Sequence, residues 1–191
     1  MKRLEPLDAD RLNPDQQALL AAVESGPRHA KHGRIGLLGP FGIWMRAPKL
    51  GQAAQAFGAV VRFGTSLPEN VKEIAICTVG AHFRSKFEFA AHGPLALAAG
   101  VDAAALEAIR VGQPPALSSP AEALAYEITS SLLTRHRLTD AQFEQARRVF
   151  NEAELVELVT VIGYYCQISL TLNAFAAPLA ANMEDPFPEV E

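Results

Sequence analysis

Residues Glu73–His92 read EIAICTVGAHFRSKFEFAAH, and the reading of this stretch decides the fold. From Ile74 to Ala81 the chain is apolar almost all round, the pattern of a helix at the centre of a bundle. Ser85-Lys86-Phe87-Glu88 then pairs a serine cap with a glutamate three residues on, the signature of a new helix start. A turn near Phe83–Ser85 therefore folds two helices against each other. Glu73 lies ten residues before Phe83 and His92 nine after it, so arms of similar length set these two side chains opposite each other. Glu88 precedes His92 by four residues and shares its helical face. Two carboxylates and one imidazole can thus converge on one spot. A capping role, with the Glu88 side chain reaching back to the Ser85 amide, stands beside that reading.

Outward from the hairpin, helix starts recur. Ser66-Leu67-Pro68-Glu69 predicts the cap of the first arm, and Gly100 the left-handed close of the second. Pro94, inside the second arm, predicts a kink just after His92. Pro48 opens a helix to Phe63, with Leu50, Ala53, Phe57, Val60 and Val61 at helical spacing. Asn13-Pro14 starts a helix to Glu24. Between them, residues 25–47 form a long glycine- and proline-rich connection of the kind used as a binding loop. It holds His29, His32 and Trp44, with no further ligands at metal-site spacing. Downstream, helices follow over Asp102–Arg110, from Ser119 to Arg135, from Thr139 to Phe150 and from Asn151 to Ala177. No segment alternates apolar and polar residues as a strand does. The expected fold is all-α, a single domain over residues 1–191 with about eight helices and an acidic tail from 183.

At 191 residues the chain can bury a core without disulfides or metal. A net charge of −4, with basic residues scattered apart from short clusters at Arg28–Lys31–Arg34 and Arg135–Arg137, gives no footprint for nucleic acid or an acidic membrane. The N-terminus carries no apolar signal segment, which points to the cytoplasm, and the only two cysteines, Cys77 and Cys166, form no CxxC pair, which leaves thioredoxin-like and zinc readings without support. Leu158 to Asn182 contains no charged residue and is long enough to span a bilayer. Its polar Gln167 and Asn173, its Pro178 and its acidic flanks favour burial in a bundle or oligomer instead.

Leu67-Pro68 through Glu73, then Arg84, Phe87-Glu88-Phe89, His92 and Gly100, with Gly163-Tyr164-Tyr165 and Leu172-Asn173-Ala174 later, resemble the carboxymuconolactone decarboxylase family, which includes the alkylhydroperoxidase D-like proteins. The resemblance covers roughly residues 35–180 and implies a helical bundle built on a hairpin, assembled as trimers or hexamers. In the peroxidase branch the glutamate is followed after eleven residues by Cys-x-x-Cys and then by histidine; here Ser85 and Glu88 stand at the cysteine positions. Serine and glutamate cannot form the thiolate and disulfide that such a peroxidase needs.

The residues suit cofactor-free acid–base chemistry. Glu73, Glu88 and His92 are the candidate catalytic groups, because a histidine near neutrality moves protons and neighbouring carboxylates ionise apart. Arg84, Ser85 and Tyr165 are candidate substrate contacts, Arg84 as a clamp for a carboxylate. The expected activity is that of a lyase or decarboxylase on a small carboxylated or lactone-like molecule, with no cofactor and no metal. Two alternatives remain at this stage: a redox protein using Cys77 or Cys166 as a single thiol, and a silent ligand-binding helical oligomer.

Overall fold

The computed structural model describes residues 3–26 and 36–188. His29, His32 and the cluster Arg28–Lys31–Arg34 lie outside the described residues. Nine α-helices are present among the described residues, and no strand. They are α1 (Pro14–Glu24), α2 (Gly39–Trp44), α3 (Pro48–Phe63), α4 (Glu69–His82), α5 (Lys86–Ala98), α6 (Ala103–Arg110), α7 (Pro120–Arg135), α8 (Asp140–Ala146) and α9 (Glu152–Ala174). The helix beyond the expected eight is α2, a short one inside the glycine-rich connection. It fits there because Gly39, at φ +51° and pressed against Phe87, takes a backbone conformation and a closeness that a side chain would forbid.

Helix α4 is the axle. Val71 to Gly80 are all buried, and α5, α6, α7 and α9 pack around it. Helix α9 lays Leu155, Leu158, Val161, Ile162, Tyr165, Ile168 and Leu172 on the core. It is long and apolar enough to cross a membrane, with mean hydropathy 1.5, and half of that window is buried within the protein. Its other face leaves Val156, Val159 and Leu170 exposed, and α3, which packs against α9, exposes Leu50, Phe57 and Val60. The helical spacing read along α3 is therefore real, but its buried face is Gly51, Gly58, Val61 and Arg62.

Capping boxes form at Asn13, Ser119, Thr139 and Asn151. Two predicted ones do not. Helix α4 starts at Pro68 without a side-chain cap, because Ser66 gives its amide and hydroxyl to Glu157 of α9 at 2.8 Å each. At the hairpin, α4 closes with the Ser85 amide on the Gly80 carbonyl (2.8 Å) and the Arg84 amide on Ala81 (3.0 Å), Arg84 being left-handed at φ +46°. This is the Schellman closure, with arginine where glycine is usual. It occupies the Ser85 amide, so Glu88 cannot cap α5. Helix α5 runs through Pro94 to Ala98; proline supplies no amide to the Ala90 carbonyl. Gly100 follows at φ +92°, as the sequence implies. The tail is held down rather than free: Phe187 is 2% exposed and packs edge-on against Phe89.

Candidate functional site

Helices α4 and α5 approach closely where Gly80 faces Phe89; a β-carbon there would meet the Phe89 amide nitrogen at 3.5 Å, an ordinary contact. That closeness brings the side chains of the hairpin together. His92 Nδ1 lies 2.8 Å from Glu73 Oε2, and His92 Nε2 lies 3.2 Å from Glu88 Oε1. Glu73 is fully buried and Glu88 nearly so. The other Glu73 oxygen pairs with Arg62 Nη2 at 2.6 Å, and Arg62 Nη1 reaches Glu69 at 2.6 Å. Lys72 closes the network on Glu69 at 2.8 Å and on the Arg62 carbonyl at 3.1 Å. A line of alternating charge thus runs from Lys72 through Glu69, Arg62, Glu73 and His92 to Glu88.

Burial governs the proton affinities along this line. It pushes Glu88 up to about 7 against the pull of His92, and Glu73 adds to the rise. Burial opposes charge on His92, but the carboxylates of Glu73 and Glu88 outweigh it and hold the ring above the ordinary histidine value. Burial, with Glu88 second, pushes the Tyr165 phenol well up, so its hydroxyl keeps its proton. The Tyr165 ring meets His92 edge-on at 5.0 Å.

The end of this line opens into a cavity of about 440 Å³. Arg62, Glu88, His92 and Tyr165 form its polar floor; Leu38 and Phe41, Phe63, Phe87, Pro94 and Ile168, and Met183 supply apolar walls. This volume and this mix of apolar wall with a few polar groups are those of a small-molecule site. Of the six predicted site residues, Glu73, Glu88 and His92 come together; Glu88, His92 and Tyr165 line the cavity, and Glu73 does not. Arg84 and Ser85 do not line it. Arg84 is exposed, with its guanidinium 5.3 Å above the Phe187 ring. Ser85 is buried, and its hydroxyl has no hydrogen-bond partner. The carboxylate clamp expected at Arg84 is therefore corrected: the turn that carries Arg84 points it at the tail, away from the cavity.

Arg62 was missed by the sequence reading, although it stands inside the apolar run Val60-Val61-Arg62-Phe63, where a charge needs a buried partner. The walls contributed by α2 and the tail were missed as well. Among the described residues no group of three histidine, cysteine or carboxylate side chains is disposed to hold a metal ion.

No family model and no curated protein matches the sequence. Solved structures do match. The alkylhydroperoxidase AhpD core protein of Ralstonia eutropha, described as an uncharacterized peroxidase-related protein, superposes with a TM-score of 0.75 at 14% identity, over 94% of this chain and 92% of its own. The chain has the alkylhydroperoxidase AhpD-like fold. An uncharacterized peroxidase-related protein from a Silicibacter species shares the AhpD-like fold at TM-score 0.73 and 16% identity, over 94% and 92% of the two chains. The debrominase Bmp8 shares it at 0.69 and 16%, over 92% and 91%. A cysteine-to-alanine variant of Bmp8 has been solved in complex with 2,3,4-tribromopyrrole. On this AhpD-like fold the present chain carries Ser85 and Glu88 at the positions where the resemblance implies redox cysteines. Its own thiols lie elsewhere: Cys77 is fully buried, with burial and then Glu73 and Glu88 pushing it far up, and half-buried Cys166 is pushed up by burial.

Proposed function

We propose that the protein is a cofactor-independent acid–base enzyme that removes and returns a proton at the carbon next to a carbonyl, acting on a small, neutral carbonyl or lactone-like molecule. The observation that carries this reading is a carboxyl at about 7, hydrogen-bond-close to a histidine at the floor of a largely apolar cavity. A base is most effective when its pKa lies near the working pH. Above pH 7 the Glu88 carboxylate takes a proton from carbon next to the substrate carbonyl. The His92 imidazolium, oriented by donating Nδ1–H to Glu73, returns a proton from Nε2. Tyr165 donates its hydroxyl to the oxygen on which negative charge develops. Arg62 pairs with the second Glu73 oxygen at 2.6 Å and so fixes the side chain that holds the ring in place.

A neutral substrate fits better than the free carboxylate first considered. The only cations lining the cavity among the described residues are Arg62 and His92. Arg62 is already paired with two carboxylates, and His92 lies between two. A free carboxylate would meet Glu88 with no spare cation to compensate it.

The test is a set of small lactones and alkyl ketones followed in D₂O by proton NMR for exchange of the hydrogens next to the carbonyl. Wild-type exchange should rise with pH through about 7 and fall again as His92 loses its proton. His92→Ala should be slower by about 10²–10⁴-fold while melting cooperatively. Equal exchange by wild type and His92→Ala removes this reading.

A further inference from the structure

After α9 the chain reverses at Ala176 (φ +48°) and returns across the mouth of the cavity. Ala180, Asn182 and Met183 line the cavity together with Leu38 and Phe41. Among the described residues the backbone of 178–184 makes one hydrogen bond, from the Met183 amide to the Ala180 carbonyl, and none to another element. What holds the segment lies just beyond it. Asp185 Oδ2 pairs with Lys86 Nζ at 2.6 Å, and Asp185 Oδ1 accepts from the Phe187 amide at 2.8 Å. Arg110 Nη1 donates to the Pro186 carbonyl at 2.6 Å. Phe187 inserts beside Phe89 with Arg84 over its outer face. Lys86 and Phe89 flank Glu88 on α5, so the latch sits on the helix that carries the acid–base pair.

We propose that residues 180–187 are a latched lid over the cavity, with Met183 and Asn182 as the residues that set the length of molecule it admits. The inference rests on the reading of the cavity as the substrate site. A wall whose backbone over 178–184 makes no bond to another element among the described residues can move without breaking a helix, and such low-stability segments are where gates are found. The latch is strong enough to keep the wall in place and weak enough to release. Its ion pair is half-exposed, and such pairs are worth up to about fivefold in an equilibrium. Arg84, which does not reach the cavity, has its role here: it covers Phe187.

Asp185→Lys turns the attraction to Lys86 into repulsion and removes the acceptor for the Phe187 amide. Wild type and this variant are compared by amide hydrogen exchange and by stopped-flow mixing with butyrophenone. Trp44 is the only tryptophan and packs edge-on at 5.8 Å against Phe41 of the cavity wall, so its emission reports entry. The variant should exchange the Met183 amide, the one in 178–184 bonded to a backbone carbonyl, about five- to tenfold faster, with α5 unchanged. Ketone association and dissociation should rise together by a similar factor. Met183→Ala, with the latch intact, should shift preference from butyrophenone toward hexanophenone. An unprotected Met183 amide in the wild type, or unchanged ketone rates in a variant whose Met183 amide has opened, overturns the proposal. If butyrophenone binds neither protein, the substrate class proposed above falls. The lid is then decided by acrylamide quenching of Trp44: stronger quenching in Asp185→Lys supports it, and equal quenching overturns it.

Discussion

Glu88→Gln should make the protein more stable at neutral pH while silencing it, and the size of the effect follows from the site. Glu88 is buried, and its pKa stands at about 7 in the folded protein against the ordinary 4.5. A carboxyl with a raised folded value binds its proton more tightly folded than unfolded. Its stabilising protonated form is therefore fully present below about 4.5, and that stability drains away as pH rises through about 7. At about 1.4 kcal/mol per pH unit the total is about 3 kcal/mol. Glutamine cannot ionise and escapes this cost. His92 titrates in the same sense but offsets part of the variant's gain. Its raised value adds stability that is complete below its ordinary 6.5 and is lost as pH rises through the folded value, and that gain shrinks without Glu88. The net advantage of Glu88→Gln over wild type should thus grow from near zero at pH 4.5 to about 2–3 kcal/mol at pH 7.5. In a chain of this length that is about 5–10 °C in Tm. Paired thermal melts of both proteins from pH 4.5 to 8 measure it, and the α-proton exchange assay measures the accompanying loss of activity. A difference between the two proteins that does not change with pH would refute the reasoning, because it would mean Glu88 is not held protonated by burial.

Arg62→Met should leave Glu73 buried without its cation and destabilise the fold by about 3–5 kcal/mol, with Glu73→Gln in the same chain recovering much of the loss; urea unfolding of both variants at pH 7.5 checks this. In native protein an alkylating reagent should modify Cys166 and spare Cys77, which reacts only on unfolding; mass spectrometry of the peptides decides. The exposed apolar residues of α3 and α9 should be covered by a second copy of the chain, so light scattering should give an oligomer and Val156→Lys with Val159→Lys a smaller species. A monomeric wild type ends that expectation.

The hairpin was legible because its information is local. Apolar residues all round Ile74–Ala81, equal arms about Phe83 and the four-residue step from Glu88 to His92 fix periodicity and facing, and helical geometry does the rest. The same holds for the boxes at Asn13, Ser119, Thr139 and Asn151, each closed within a single turn. The predicted boxes at Ser66 and Ser85 failed where a tertiary partner intervened. Glu157, 91 residues away, took the Ser66 donors, and the closure of α4 on Gly80 took the Ser85 amide. That second substitution released Glu88 for His92. Arg62 joined the site because α3 turns that residue, rather than Phe57 or Val60, toward the core. The cavity itself has walls from α2, α5, α9 and the tail, segments spread over more than a hundred residues of sequence. Periodicity and caps determine which face a side chain takes, since they act over one turn of chain. Which faces then meet, and what space they leave, depends on close packing between distant segments, and only the tertiary structure decides it.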